Sequence, residues 1–204
     1  MNEQDILEGR LDDQTIDELT REIGADSNEQ TEAAVSAVTT SLVTGLEKNV
    51  EKPNGLQSLI SALDRDHDGS ILDDATGFIF GRRRPDNPRT TNGPGILEHI
   101  FGNRQERVAE GIGRGTGMDK GKILQLMMTF APLILGALSK RGRQSGAGGG
   151  LGGGLLDLLK NTSRNRSNQL NDNGLLNRLV DSDDDNGIFD DLANLGRNAF
   201  LSRR

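Results

Sequence analysis

Two short stretches of the chain each place three aspartates at alternate positions. Oxygen ligands at positions 1, 3 and 5 of a tight loop are the arrangement with which EF-hands hold Ca²⁺. The spacing therefore predicts two EF-hand-like acidic loops, over residues 64–74 and 181–191. Their alternating carboxylates are Asp64, Asp66 and Asp68 in the first loop, and Asp181, Asp183 and Asp185 in the second.

The next two positions of each loop also suit a cation site. Gly69 stands at position 6, where the EF-hand loop turns sharply, and Asn186 stands there in the second copy. Glycine adopts positive φ more easily than asparagine, so we expect the first loop to bind better. Ser70 and Gly187 fall at position 7, which ligates through its backbone carbonyl.

Both loops depart from the EF-hand pattern at position 12. A bidentate glutamate belongs there, whereas this chain has Ala75 and Leu192. Carboxylates arrive earlier instead, at Asp73, Asp74, Asp190 and Asp191. We therefore expect weak Ca²⁺ binding, with dissociation constants of roughly 10⁻⁴ to 10⁻³ M, and Mg²⁺ is an alternative ion.

A second interpretation of the loops needs no metal. Asp-Gly and Asn-Gly pairs form turns, and carboxylates favour the first turn of a following helix, where backbone N–H groups are free. The loops would then be capped acidic turns in a metal-free helical scaffold. Against this, three neighbouring carboxylates repel one another when no counterion is present.

Residue composition argues against an enzyme. The 204 residues include no cysteine and only two histidines, His67 and His99, and no cofactor-binding fingerprint is present. Clustered aspartates holding Mg²⁺ for phosphate chemistry are the remaining enzymatic possibility. We expect a non-enzymatic structural or interaction protein.

Helical stripes precede the two loops in the same order. Each first stripe has apolar or small residues ten, seven, three and two positions before a glycine, a spacing that lines one face of a helix. A shorter apolar stripe follows, with Leu56, Leu59, Ile60 and Leu63 before the first loop. The long stripes are Val35, Val38, Leu42 and Val43 before Gly45, and Leu126, Thr129, Leu133 and Ile134 before Gly136.

This repetition predicts an all-α protein made of two duplicated helical units, joined by flexible Gly- and Pro-rich linkers. Residues 1–14 form an acidic N-terminal segment, and residues 15–81 form the first copy. The second copy, 96–196, follows a Pro-rich linker, 82–95. The second copy contains a Gly- and Asn-rich insertion, 142–173, and a tail, 197–204, ends the chain.

The motifs GSILDD, GILEHIFGNRQ, APLILGAL and DSDDDNGIFDD together resemble the bacterial family catalogued as domain of unknown function 937. The resemblance spans roughly residues 15–196. It implies a helical fold and supplies no catalytic residues. Asn186 departs from the family pattern, in which glycine is typical at that position.

Charge and hydropathy bound the location and the partners. Residues 1–52 carry 13 acids and 4 bases, whereas residues 82–143 carry 5 acids and 12 bases, so these regions can attract one another within or between chains. The partner is an unidentified protein or a second copy; nucleic acid is not expected.

Residues 123–138 are apolar but too short for an ordinary membrane span, so a buried core helix is favoured over membrane contact. The expected location is cytoplasmic.

Overall fold

The structure, a computed structural model, describes residues 3–83, 85 and 87–144. Every regular element in these ranges is helical, as the sequence predicts, and none is a strand. A 3₁₀ turn, Ser70–Asp74, lies between the fourth and fifth helices, and a second, Gly102–Arg104, follows the sixth. The α-helices are α1 (Glu3–Glu8), α2 (Asp13–Ile23), α3 (Asn28–Glu51), α4 (Gly55–Asp66), α5 (Ala75–Ile79), α6 (Gly93–Phe101), α7 (Gln105–Thr116) and α8 (Lys120–Gln144).

Helix α8 is the centre of the core. It contacts α1, α3, α6 and α7, and most of its apolar residues are buried. The predicted stripe residues Leu126, Leu133 and Ile134 are at most 1% exposed, while Thr129 is half-buried. The other helices therefore surround α8 and cover most of its apolar surface.

Helix α8 also has the length and apolar composition of a membrane span. Its most apolar window has a mean hydropathy of 1.5, and 67% of that window is buried against the rest of the protein. A helix at the centre of a core must be apolar on most sides, so packing accounts for this composition.

The two glycines that end the long stripes are points of close approach between helices. A Cβ atom on Gly45 would lie 2.5 Å from Ile100 Cγ2, and one on Gly136 would lie 2.7 Å from Ile71 Cγ2. Each glycine thus leaves room for the branched methyl group of an isoleucine. These contacts seat α6 on α3 and the 3₁₀ turn on α8.

Gly93 serves a third close approach, at the proline inside α8. Pro132 has no N–H, so it cannot donate to the carbonyl of Met128, four residues earlier. Helix α6 begins beside this carbonyl, where a Cβ on Gly93 would lie 2.5 Å from Met128 O. The start of α6 therefore lies inside the range 82–95, which the sequence analysis assigned to a linker.

The N-terminal residues also belong to the folded body. The charge pattern predicts residues 1–14 as a separate acidic segment, but Ile6 and Leu7 of α1 are 1% and 5% exposed. Helix α1 contacts both α3 and α8. Two apolar residues in a helix of six residues are too few to show a periodic pattern. Their burial is nevertheless enough to hold α1 against the core.

Helices α1–α3 and helices α6–α8 follow the same order of length: short, intermediate, long. Gly9 and Gly102 have positive φ after the short helices, and Gly24 and Gly117 have positive φ after the intermediate ones. The members of each pair are 93 positions apart. At the same separation, the buried residues of α2 match those of α7: Thr15 and Val108, Ile16 and Ala109, Leu19 and Ile112.

Replacing Gly136 by alanine should destabilise the protein by about 1 kcal/mol. Alanine favours a helix over glycine by about 1 kcal/mol, but overpacking against Ile71 costs about 1–3 kcal/mol. Urea unfolding measures the net change.

The control for this substitution is the double variant Gly136→Ala with Ile71→Leu. Leucine has no Cγ2 atom, so the cost of Gly136→Ala should shrink or change sign in the Ile71→Leu background. Stabilisation by Gly136→Ala alone would show that the contact with Ile71 is unimportant.

Candidate functional site

The first two aspartates of the acidic loop lie on helix α4 and not in a loop. Helix α4 continues through Asp66, so Asp64 and Asp66 project about 200° apart around its axis. Each faces an arginine from another part of the chain. Asp64 Oδ1 lies 3.7 Å from Arg143 Nη2 of α8, and Asp66 Oδ1 lies 4.0 Å from Arg89 Nη1.

The third aspartate, Asp68, organises the turn itself. Its Oδ1 accepts hydrogen bonds from the Ser70 N–H at 2.9 Å and from Ser70 Oγ at 2.6 Å. The Ser70 hydroxyl and N–H lower the pKa of the Asp68 carboxyl, because both bonds favour its charged form. The side chain of Ser70 is thus committed to Asp68.

Gly69 makes the sharp turn that the sequence analysis assigned to it. Its φ is +94°, a conformation that residues with a Cβ rarely adopt. A Cβ on Gly69 would also lie 3.3 Å from both Gly136 O and Lys140 Cβ of α8. Glycine is therefore required here for the backbone conformation and for the packing of the turn on α8.

The last two aspartates of the loop differ in their contacts. Asp74 is the N-cap of α5, where its Oδ1 accepts a 2.9 Å hydrogen bond from the Gly77 N–H. Asp73 is exposed and borders a small surface depression with Asp68, Lys140 and Arg143. An N-cap such as that of Asp74 stabilises a helix by about 1 kcal/mol.

The carboxylates of the first loop do not converge on a common point. In the ranges 3–83, 85 and 87–144, no three His, Cys, Asp or Glu side chains form a group that could hold a metal ion. The second loop, with Asp181, Asp183, Asp185, Gly187, Asp190 and Asp191, lies outside the described residues, as do the tail and most of the insertion. The structure thus describes only the first of the two predicted sites.

A groove between α4 and α6 is a feature that the sequence analysis missed. Its volume is about 860 Å³, and α3 and α8 contribute to its floor. The apolar lining comes from residues far apart in sequence, so no motif marks it. The principal apolar residues of the floor and walls are Leu46, Leu59, Ile96, Ile100 and Leu135.

His67 closes one end of this groove and is itself buried. Its side chain is 4% exposed, and its Nδ1 atom has no hydrogen-bond partner among the described residues. Burial lowers the pKa of the imidazole because it disfavours the charged form, while Asp66 and Asp68 oppose this shift. His67 is therefore neutral at pH 7 and acts as a packing residue at the end of α4.

Acidification should destabilise the protein through His67. The unfolded imidazole has the ordinary histidine pKa of 6.5, and the pKa in the folded state is lower, so the unfolded state binds more protons. The contribution of His67 to the free energy of unfolding should be largest above pH 6.5 and should fall as the pH drops below 6.5.

Urea unfolding between pH 7.5 and about 5 measures this dependence. His67→Leu should flatten the profile in that window, and His99→Gln, which replaces the exposed imidazole, is the control. An unchanged profile for His67→Leu would contradict the assignment.

Comparisons with known proteins give a family and no function. No curated protein matches the chain, and no solved structure matches it. A family model described as a bacterial protein of unknown function, DUF937, matches residues 5–141, or 137 of the 204 residues. The match covers all the helices in the range α2–α7 and most of α1 and α8, so the chain belongs to the bacterial family DUF937.

Proposed function

We propose that the protein is a non-enzymatic interaction scaffold whose binding surface is the groove between α4 and α6. The observation that carries the proposal is the combination of an apolar floor with a basic rim. Lys52, Arg65 and Arg89 line the groove, against one carboxylate, Asp66. Such a surface suits an apolar segment that carries negative charge.

In this proposal the groove binds a partner and does not catalyse a reaction. His67 and His99 both line it, but neither imidazole is hydrogen-bonded to a hydroxyl or a carboxylate in the described part of the chain. A nucleophile needs an adjacent base to be activated. This arrangement favours binding over the enzymatic alternative.

The first acidic turn is, in this proposal, a structural joint that needs no cation. Arg143 and Arg89 supply positive charge to Asp64 and Asp66, while Ser70 and Gly77 supply N–H groups to Asp68 and Asp74. These partners reduce the repulsion among the loop carboxylates, which would otherwise disfavour a turn without a metal ion. The first loop is therefore not a calcium site in this proposal, and calcium binding by the second loop, which lies outside the described residues, stays a prediction.

The duplication is proposed as a three-helix unit that occurs twice. The paired glycines and buried positions of α1–α3 and α6–α8 support it. Attraction between the acidic and basic regions is proposed to act within one chain, since Glu18 of α2 forms an ion pair with Arg82. A cytoplasmic location, without membrane contact, is consistent with the burial of α8.

Photocrosslinking in cells tests the interaction role. A photoreactive residue at Ser58, which lines the groove, should form adducts with another protein or with another part of the chain. The control is the same residue at Gln14, an exposed position on α2. Equal, low yields at both positions would contradict a binding role for the groove.

Calcium titration tests the metal-free turn. Asp64→Asn with Asp66→Asn should leave the response of the melting temperature to millimolar calcium the same as in the wild type. Any stabilisation by calcium should instead disappear in Asp181→Asn with Asp183→Asn, because binding to the folded state alone raises stability. Loss of the response in the first variant would contradict the proposal and restore the first loop as a calcium site.

A further inference from the structure

The groove between α4 and α6 leaves apolar side chains partly uncovered. Leu59 is the residue of the α4 stripe that lines it, and this side chain is only partly buried, whereas Leu63 is fully buried. Leu46, Ile96, Ile100 and Leu135 complete the apolar lining. A further apolar segment laid along the groove would cover Leu59 and these neighbours.

The basic rim indicates the charge of that segment. Arg65 and Arg89 are mostly exposed, and no carboxylate of the rim lies closer than 4.0 Å to Arg89. These cations can therefore pair with an acidic segment without first breaking a tight ion pair. The occupant should be apolar on one side and acidic.

The sequence of the chain contains such a segment, beyond the described residues. Residues 174–195, GLLNRLVDSDDDNGIFDDLANL, contain six aspartates and one arginine, a net charge of −5. They repeat the order of apolar and acidic residues seen in 55–74. Twenty-nine residues separate Gln144 from Gly174, and a chain of that length can span up to about 100 Å.

Of the two α3 positions that correspond to the contact of the first acidic turn, one is occupied and the other borders the groove. Gly69 of that turn packs beside Gly136 and Lys140 of α8. The positions 91 residues earlier, which correspond to them on α3, are Gly45 and Asn49. Ile100 fills the space at Gly45, but Asn49 lies one turn further along α3 and lines the groove.

We propose that residues 174–195 of the same chain bind in the groove between α4 and α6, with their aspartates beside Arg65 and Arg89. The inference rests on the interaction role proposed above and on the duplication. It makes the groove an intramolecular docking site, so any outside partner must compete with the chain's own acidic segment.

Disulfide trapping in the full chain tests this docking. The chain has no cysteine, so Ser58→Cys with Ser182→Cys creates a single possible intrachain disulfide. Under mild oxidation of dilute protein, this pair should form an intrachain disulfide at least tenfold faster than the control pair, Gln14→Cys with Ser182→Cys. Equal rates for the two pairs would overturn the proposal, and so would a disulfide that links two chains.

Charge variants of the trapping pair test the role of the rim. Arg65→Glu with Arg89→Glu should slow the disulfide at least fivefold, and adding Asp183→Lys with Asp185→Lys should restore it. Arg21→Glu with Arg107→Glu, two exposed arginines outside the groove, should leave the rate unchanged. A slow rate in every Glu variant, with no recovery on charge exchange, would contradict docking through the rim.

Failure of the trapping experiment is distinguishable from failure of the proposed function. If Ser58 captures another protein by photocrosslinking while the disulfide pairs react equally, the groove is an interaction site and the docking of 174–195 is wrong. If neither experiment gives a product specific to the groove, both proposals are wrong.

Discussion

The fold depends on the close approach that two helical glycines allow. Gly45 and Gly136 stand on the two longest helices, and each receives the branched methyl of an isoleucine from another element. Without these contacts, α6 could not lie on α3 at this distance, and the acidic turn could not rest on α8. Because interiors are close-packed, a single added carbon at either site must displace its neighbour. The positions of the groove and the turn follow from these two contacts.

Local pattern was enough to predict the all-α class, the long apolar stripes of α3 and α8 and the turn at Gly69, because these features are properties of short segments. The residue at which α4 ends could not be predicted from local pattern. The helix continues to Asp66, where the carbonyl accepts a hydrogen bond from the buried Thr90 hydroxyl, 24 residues away. Two aspartates expected in a loop are therefore helical. Their arginine partners come from positions 89 and 143, and a sequence pattern cannot pair residues so far apart. The groove was missed for the same reason.

Helix α8 combines two features that are easily confused in a sequence. Its apolar composition is that of a membrane span, and its position is that of a core helix. Pro132 sharpens the distinction, because the carbonyl that it leaves without an intrahelical donor lies against Gly93 of α6. The neighbouring helix thus covers a defect that lipid would leave exposed. Packing by other helices, and not hydropathy alone, explains why this segment is both apolar and interrupted by proline.

We propose that packing on α8 and hydrogen bonds from Ser70 and Gly77 hold the first acidic turn without a bound cation. Amide hydrogen exchange of the Leu72 and Gly77 N–H groups, measured in the presence of a chelator, tests this proposal. The Leu72 N–H bonds to Gly69 O and the Gly77 N–H bonds to Asp74. We expect both amides to be protected in chelator and calcium to leave their exchange rates unchanged. Unprotected amides in chelator that become protected when calcium is added would contradict it.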